Sequence, residues 1–475
     1  MNAVGNVPTQ GSDVGQLRLG WAGMDAVRTT VWLLVLVTIS RIHQHFDFLR
    51  PLRPALLLAG LAVVAALIKR NSLRTDHLWR TRPPQIIAGL AVMACVSAVF
   101  GISLGGSATF FLFEYSKVLV LAFLLVLAIR NSRDLLLFVW GYVIAVGLLS
   151  WLSIFVFRMS RPSSDGLQRI LSGYTFDAND IGLVVLIGLA LAFLTFQASG
   201  KIGRILSTVI IVGIGITLAK TGSRGAFVGL IATGLAIVLF VRSLSVAKRA
   251  GVILVPAIAL LLAAPPGYWD QMATMLNPKA DYNWSSQTGR RELMQRGMEY
   301  LAAYPLTGIG IENFPRAEGT ISGRALNWTP NQAGIKWSAP HNSFLQTAAE
   351  MGIPGLVLFV SLVLSVIVIP IGLRKRIPRH WAAGDPEQRF LHLATNYLPV
   401  AGVAFAASGF FVSVAYVDPV YILGAFSAGL TTCVTDRLAR ESHVAVTVQA
   451  PASVLADRGP EWRSRRSRVG LSHGR

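Results

Sequence analysis

The sequence predicts an all-α, polytopic membrane protein with about 12 transmembrane helices and one large extracytoplasmic loop containing short helices. Of its 475 residues, 53% are hydrophobic and 14% are charged, and the mean hydropathy is +0.56. A soluble domain carries roughly 25% charged residues, so this deficit indicates a membrane environment. Apolar runs of about fifteen to twenty residues recur along the chain, and that is the length of a membrane-spanning helix.

Twelve apolar segments can be traced. They cover residues 27–41, 54–68, 85–104, 112–129, 135–157, 181–198, 205–219, 226–241, 250–265, 353–373, 394–415 and 420–434. The predicted organisation is a disordered cytoplasmic N-terminus at 1–26, transmembrane helices 1–9 at 27–265, an extracytoplasmic loop at 266–340, transmembrane helices 10–12 at 341–434 and a disordered basic cytoplasmic tail at 435–475.

The orientation follows from the loops between these segments. Lys and Arg concentrate in one alternate set of loops, at 69–82, 130–133, 201–204, 242–249 and 374–389, and the opposite short loops are poorer in them. The positive-inside rule makes that set cytoplasmic. The net charge of +20 is then explained by topology and anionic lipid, and the sequence offers no basic soluble domain for nucleic acid.

The loops at 158–180, 220–225 and 266–340 therefore face away from the cytoplasm, where no ATP or nucleotide sugar is available. The longest of them contains GRRELMQRGMEYLAAYP, which predicts an amphipathic helix with Thr288 as N-cap. Its expected apolar stripe is Leu293, Met294, Met298 and Leu301. In the following PLTGIGIENF, Gly308 and Gly310 are expected to permit a tight turn and close backbone packing rather than to bind a dinucleotide.

Arg290 and Arg291 fall in the first turn of that helix, where positive charge opposes the helix dipole. A nearby bound anion would explain this placement, and neutralisation by Glu292 or Glu299 explains it equally well. Both explanations stay open at this point.

His341 follows Pro340 and precedes a new helix, with Asn342 or Ser343 as the cap. An imidazole at this boundary suits a general base, because its ordinary pKa is close to 6.5. The alternative is a capping or interfacial histidine without chemistry.

Arg224 lies in TGSRG at the outer mouth of the eighth segment, four residues after Lys220. It is either an anchoring arginine or a ligand for a diphosphate, which guanidinium groups bind bidentately. Arg169 precedes the acidic cluster DAND at 177–180, in which Asn179 or Asp180 is expected to cap the sixth segment.

Together the stretches TGSRGAFVGL, TGRRELMQRGMEYLAAYPLTGIGIENF and PHNSFLQTAAEMGIPGL, in this order, resemble the O-antigen ligase and polysaccharide polymerase family of bacterial integral membrane proteins. The resemblance covers mainly residues 169–360. It implies a multi-pass protein of the bacterial cytoplasmic membrane that takes part in lipopolysaccharide or exopolysaccharide biosynthesis. Members are glycosyltransferases without metal, nucleotide or other cofactor. On the extracytoplasmic face they transfer a glycan from undecaprenyl diphosphate to the hydroxyl of a glycan, lipid or protein acceptor.

The resemblance also implies roles for particular residues. His341 and Arg224 are carried over as catalytic residues, and Arg169 and Arg290 as substrate-binding residues. Lys220 and Asn342 are expected to bind substrate as well, apart from the resemblance. The ligase pattern Arg-x-x-x-Leu has Val228 at its last position here, and Gly352 falls one place later than the ligase spacing. These two departures weaken a strict lipopolysaccharide ligase and leave the polymerases open.

The alternative function is a transporter or flippase for a polar solute or lipid-linked glycan. Such a protein would carry polar or charged groups deep in its apolar segments, together with internal symmetry. Neither feature is evident in the sequence.

Overall fold

The structure is a computed structural model that describes residues 24–70, 73, 75–161, 167–171, 176–241, 245–276, 289–329 and 335–449, without the side chains of 76, 77, 252 and 443–449. Its architecture is helical, which confirms the predicted all-α class. A two-residue antiparallel ladder, β1 (Arg158–Met159) with β2 (Ile170–Leu171), is the exception among the described residues.

Helices make up most of the described residues. In chain order they are α1 (Ala26–Ser40), α2 (Ile42–His45), α3 (Pro54–Ile68), α4 (Asp76–Arg80), α5 (Arg82–Phe100), α6 (Leu104–Phe110), α7 (Ser116–Ala128), α8 (Ser132–Phe155), α9 (Ala178–Ala198), α10 (Lys201–Thr221), α11 (Arg224–Phe240), α12 (Val246–Ala263), α13 (Tyr268–Ala273), α14 (Arg290–Ala303), α15 (Phe314–Thr320), α16 (Gly323–Leu326), α17 (Ser343–Arg376), α18 (Pro386–Gly409) and α19 (Asp418–Gln449). A π-helical turn, Phe111–Tyr115, joins α6 to α7.

Each of the twelve predicted apolar segments overlaps a helix, but this overlap does not determine how many helices span the membrane. Within the described ranges, eight spans are long and apolar enough to cross a membrane, namely α5, the continuous α6–α7, α8, α9, α10, α12, α17 and α18. Helices α1, α3 and α11 are apolar but shorter, and α19 belongs to neither group. The chain is thus a multi-pass membrane protein, and the count of twelve stays a prediction.

Helix α9 lies at the centre of the bundle. Every residue from Ile181 to Thr195 is buried, as expected for a helix that is apolar on all sides. It packs against α8, α10, α11 and α18, and α18 in turn packs against α11 and α17. The helix that begins at Ala178 is therefore surrounded by other helices of the bundle.

Three of the basic loops that were predicted to be cytoplasmic, at 130–133, 242–249 and 374–389, border helix ends that lie at one end of the bundle. Three polar contacts join the helix ends found there: Arg28 to Asp134 at 2.8 Å, Arg374 to the Phe240 carbonyl at 2.6 Å, and Arg437 to Glu387 at 3.1 Å. The starts of α9, α11 and α17 lie at the opposite end, which is the predicted extracytoplasmic end. Which of these ends faces the cytoplasm stays a prediction.

Helix α17 is interrupted at Gly352, which has φ 68° and ψ −170°. The Ile353 N–H bonds the Pro305 carbonyl at 2.7 Å rather than a helical partner. Gly308 and Gly310 adopt positive φ, and a side chain at Gly308 would overlap the backbone of Glu350. The tight turn expected of these glycines is confirmed, and the apolar span begins after the break, as the predicted segment at 353–373 does.

The two termini differ in how far the structure describes them. Helix α19 continues to Gln449, so the tail that was predicted to be disordered from residue 435 is helical over its first part. The remainder of that tail, and most of the predicted disordered N-terminus, lie outside the described residues.

Candidate functional site

Four helix starts meet at the predicted extracytoplasmic end of the bundle. The start of α9 contacts that of α11, because the Ser223 hydroxyl donates to Asn179 at 2.7 Å. The starts of α11, α14 and α17 all contact residues 411–413, which link α18 to α19. The partial positive charges of four helix N-termini are thereby brought to one region.

Arg169 is fixed in this region by two hydrogen bonds from its side chain. Its Nε donates to the Thr221 carbonyl at 2.9 Å, and its Nη2 donates to Oδ1 of Asn179 at 3.1 Å. Asn179 Oδ1 thus accepts from both Arg169 and Ser223. Ser223 itself caps α11 by accepting the Ala226 N–H at 3.2 Å, so these contacts join three chain segments.

The cap of α9 differs from the sequence prediction. Asp177, rather than Asn179 or Asp180, is the N-cap: its Oδ1 accepts the N–H groups of Asn179 and Asp180, and the Asp180 carboxylate accepts the Asp177 N–H. This reciprocal capping box leaves the Asn179 amide oxygen to bind Arg169.

The electrostatics of Arg169 connect it to Arg224. Burial lowers the pKa of Arg169, the nearby carboxylate of Asp177 raises it, and the charge of Arg224 lowers it further. An arginine stays protonated in proteins, so these shifts report two guanidinium groups within electrostatic range of each other. A bound anion would stabilise two positive charges that repel each other in this way.

Arg224 is the first residue of α11, and its Nη1 donates to the Thr274 hydroxyl at 2.7 Å. Thr274 follows α13 and donates in turn to the Gln271 carbonyl. Lys220 has a different environment, because its Nζ donates to the Ile154 carbonyl at the end of α8 at 2.7 Å. That bond ties α10 to α8, and a role of Lys220 in binding substrate stays a prediction.

Arg290 is the first residue of α14, and Gly289 occupies the N-cap position. The predicted cap, Thr288, lies outside the described residues. The Nη2 of Arg290 donates to the Phe411 carbonyl at 3.5 Å, and its guanidinium carbon lies 5.9 Å from the centre of the Phe411 ring. Arg290 thus reaches the segment that also contacts α11 and α17.

The two glutamates proposed as alternative partners of Arg290 and Arg291 make contacts within α14. Glu292 lies 3.8 Å from Arg296, and Glu299 accepts from Gln295 at 3.0 Å.

The buried face of α14 is not the predicted methionine stripe. Leu293 is buried as expected, but Met294 and Met298 are 42% and 57% exposed. Arg296 and Tyr300 face inward instead, because both bind the buried carboxylate of Glu318, Arg296 at 2.8 Å and Tyr300 at 2.9 Å. Arg296 and Glu318 are 22 residues apart in the chain. Hydrophobic periodicity within one helix cannot predict that an arginine is buried against so distant a partner.

His341 occupies the left-handed region, with φ 50°. Its backbone N–H donates to the Ser413 hydroxyl at 2.8 Å. Burial lowers the pKa of His341 below 6.5, the charge of Arg290 lowers it further, Asp177 raises it, and Lys336 lowers it. The imidazole is therefore neutral at pH 7, which is the state required of a base.

Asn342 is the N-cap of α17, as expected. Its Oδ1 accepts the N–H groups of Phe344 at 2.9 Å and Leu345 at 3.0 Å. The residue is buried and this oxygen is occupied by the cap, so its predicted contact with substrate stays untested.

The sequence-predicted residues thus separate into two groups. Arg169, Arg224, Arg290 and His341 are linked through shared partners and mutual electrostatics. Lys220 instead bonds the end of α8, and Asn342 bonds the first turn of its own helix, α17. Sequence reasoning missed Asn179 as a junction and residues 411–413 altogether. Among the described residues, no three His, Cys, Asp or Glu side chains are grouped so that they could hold a metal ion.

The fold and site define a multi-pass membrane protein of the all-α class with an arginine-rich site at one end of its bundle. Residues 208–360 match the family model described as O-antigen ligase, which confirms the family resemblance and places an O-antigen ligase domain in this chain. Arg224, Arg290 and His341 lie inside the matched range, and Arg169 lies before it. No curated protein matches the chain significantly. The domain and the membrane helices support a membrane protein that ligates or polymerises glycans.

Proposed function

We propose that the protein is a glycosyltransferase that transfers or polymerises a glycan from undecaprenyl diphosphate onto an acceptor hydroxyl at the extracytoplasmic face. The observation that most supports this is the convergence of Arg169, Arg224 and Arg290 with a neutral His341 at four helix N-termini. The donor carries its own activated diphosphate bond, so the reaction needs no nucleotide on that face.

The arginines account for binding of the diphosphate. Arg224, together with Arg169 or Arg290, offers planar forks that match phosphate oxygens, and the helix N-termini add partial positive charge. Negative charge grows on the leaving diphosphate in the transition state. Guanidinium groups that are already fixed by hydrogen bonds stabilise that charge with little reorganisation.

His341 accounts for activation of the acceptor. Its imidazole takes the proton of the acceptor hydroxyl while the hydroxyl oxygen forms a bond to the anomeric carbon. The bond from that carbon to the diphosphate oxygen breaks on the opposite face, and the electron pair leaves with the diphosphate. The configuration at the anomeric carbon is therefore inverted.

The test uses membranes that contain the wild type or His341→Ala, supplied with a short glycan on undecaprenyl diphosphate. His392→Ala, a histidine of α18, is the matched control. Products separated by size should form a ladder spaced by the repeat unit if the protein is a polymerase. A single shift that needs an added lipid or protein acceptor would identify a ligase.

Either product should be absent with His341→Ala and present with His392→Ala. Equal diphosphate release with and without His341 would rule out the general-base role. Glycan movement across the membrane without diphosphate release from either protein would favour the transporter or flippase. Retention of the donor configuration in the product would contradict direct displacement by the acceptor.

A further inference from the structure

Residues 411–416, between α18 and α19, contact three parts of the candidate site. We call this stretch the linking segment; its sequence is FVSVAY, and it lies outside the residues that match the family model. It carries none of the charged groups that drew attention to the other site loops. Its side chains and backbone nevertheless touch the residues that start α11 and α14 and the histidine that precedes α17.

Phe411 lies between the starts of α11 and α14. A side chain added at Gly225, next to Arg224, would come within 2.5 Å of the Phe411 Cβ. The Phe411 carbonyl accepts from Arg290 at 3.5 Å, and the Phe411 ring centre lies 5.9 Å from the Arg290 guanidinium carbon. Phe411 therefore contacts both helix starts, the start of α11 through its Cβ and ring and the start of α14 through its carbonyl and ring.

Ser413 bonds the backbone of His341. A non-glycine residue in the left-handed region carries a conformational cost and keeps that conformation only where its surroundings enforce it. The 2.8 Å bond from the His341 N–H to the Ser413 hydroxyl supplies such a restraint. This bond therefore holds the backbone from which the imidazole extends.

The linking segment is itself held by the first turns of α17. The Ser343 hydroxyl donates to the Val412 carbonyl at 2.7 Å and accepts the Val414 N–H at 3.0 Å. One turn later, Gln346 accepts the Ala415 N–H at 3.3 Å. Both polar side chains are buried, so their bonds fix an otherwise irregular segment against the helix that His341 precedes.

We propose that Phe411 and Ser413 are positioning residues for glycosyl transfer, Phe411 by spacing Arg224 from Arg290 and Ser413 by fixing His341. This inference rests on the proposed function. Phe411 acts through the two arginines and Ser413 through the histidine, so the two residues should affect different kinetic constants.

Ser413→Ala removes the acceptor of the His341 N–H and leaves the arginines in place. It should lower kcat about ten- to a hundredfold and leave the donor KM unchanged, because misplacing a catalytic group by about 1 Å costs this much. Phe411→Ala should instead raise the donor KM, since the two guanidinium groups lose their spacing. Ser413→Thr keeps the hydroxyl and should restore kcat.

The experiment uses the full-length protein in lipid nanodiscs, with two controls. Phe410→Ala removes the neighbouring ring, which is 54% exposed. Ser365→Ala removes a hydroxyl that bonds only within α17, to the Leu362 carbonyl. Both controls should retain wild-type kcat and donor KM. A Ser413→Ala protein with wild-type kcat would overturn the role of Ser413, and an unchanged donor KM in Phe411→Ala would overturn that of Phe411.

A second measurement does not depend on glycan transfer. Diethyl pyrocarbonate at pH 7 modifies neutral imidazoles, and peptide mass spectrometry gives the rate at each histidine. Diethyl pyrocarbonate should modify His341 faster in Ser413→Ala than in the wild type. His45 should be modified at the same rate in both proteins and serves as the internal standard. An unchanged His341 rate would overturn the positioning role. If the wild type transfers no glycan but the His341 rate rises in the variant, the proposed function fails while the restraint by Ser413 stands.

Discussion

Arg169 donates from Nη2 to Oδ1 of Asn179 at 3.1 Å, and the Ser223 hydroxyl donates to that same oxygen at 2.7 Å. One amide thus holds an arginine of the site against the loop that carries Arg224. The arrangement joins residues that are 10 and 44 positions apart in the chain. The diphosphate-binding hypothesis can therefore be tested by substituting Asn179 while every arginine stays in place.

Asn179→Ala should weaken donor binding and lower stability. Two donors lose their shared acceptor, and leaving a partly buried donor unsatisfied costs about 1–3 kcal/mol. We expect a higher donor KM and a lower apparent Tm. Asn327→Ala is the control, because Asn327 is exposed and bonds only the Gly323 carbonyl within α16. Equal behaviour of the two variants would contradict the junction role of Asn179.

Arg224→Lys should be poorly tolerated although it conserves charge. A lysine cannot offer two parallel N–H donors to a phosphate, and the Thr274 contact at 2.7 Å depends on the length and shape of the guanidinium. We expect kcat/KM to fall about ten- to a hundredfold. Arg291→Lys, an exposed neighbour of Arg290, should be close to wild type. Near-normal turnover of Arg224→Lys would favour a simple anchoring role.

The glycosyl-transfer activity should be lost on acidification only at a pH below 6.5. A base is active only when unprotonated, and the pKa of His341 is lowered from 6.5 by burial, by Arg290 and by Lys336, against the opposing effect of Asp177. Activity is therefore retained as the pH falls through 6.5 and is lost at the lower, folded-state pKa. The measurement is the acid limb of kcat/KM against pH, which reports groups of the unliganded protein.

Two variants should shift that limb in opposite directions. Asp177→Asn keeps an N-cap for α9 but removes a charge that raises the pKa of His341, so the limb should move to lower pH. Arg290→Gln removes a charge that lowers the pKa, so the limb should move to higher pH. Identical acid limbs in both variants and the wild type would show that another group titrates.

Gly308→Ala should destabilise the fold. Gly308 has φ 67°, and an added Cβ would overlap the backbone of Glu350. We expect a loss of about 3 kcal/mol or more from strain and overlap together, seen as a lower Tm in detergent. Gly323→Ala is the control, because nothing lies within 4 Å of a Cβ added there. A Tm equal to that of the control would mean that the turn adjusts freely.

The helices could be predicted from the sequence because hydrophobic segments of this length have few other structures available in a bilayer. The number of spans could not, since α1, α3 and α11 are apolar but short. Composition also does not predict where α19 ends, and this helix continues past the predicted boundary at residue 434.

The charged part of the site was accessible from sequence because arginine at a helix start and histidine at a helix boundary are conspicuous. The residues that hold them were not. Asn179 looked like a cap, and its role depends on Asp177 taking that position first. Phe411 and Ser413 are ordinary residues between two apolar segments, and only the packing of α17 against α18 brings them to His341.

The break at Gly352 has a mechanical consequence. The turns of α17 before it bond to the 305–310 turn and to the linking segment, whereas those after it form the apolar span. Because α17 is interrupted there, a tilt of its membrane part should change the angle at Gly352 and leave the turns before Gly352 in place. We therefore expect the alignment of His341 to be insensitive to bilayer thickness, so that turnover in nanodiscs of shorter or longer lipids differs little.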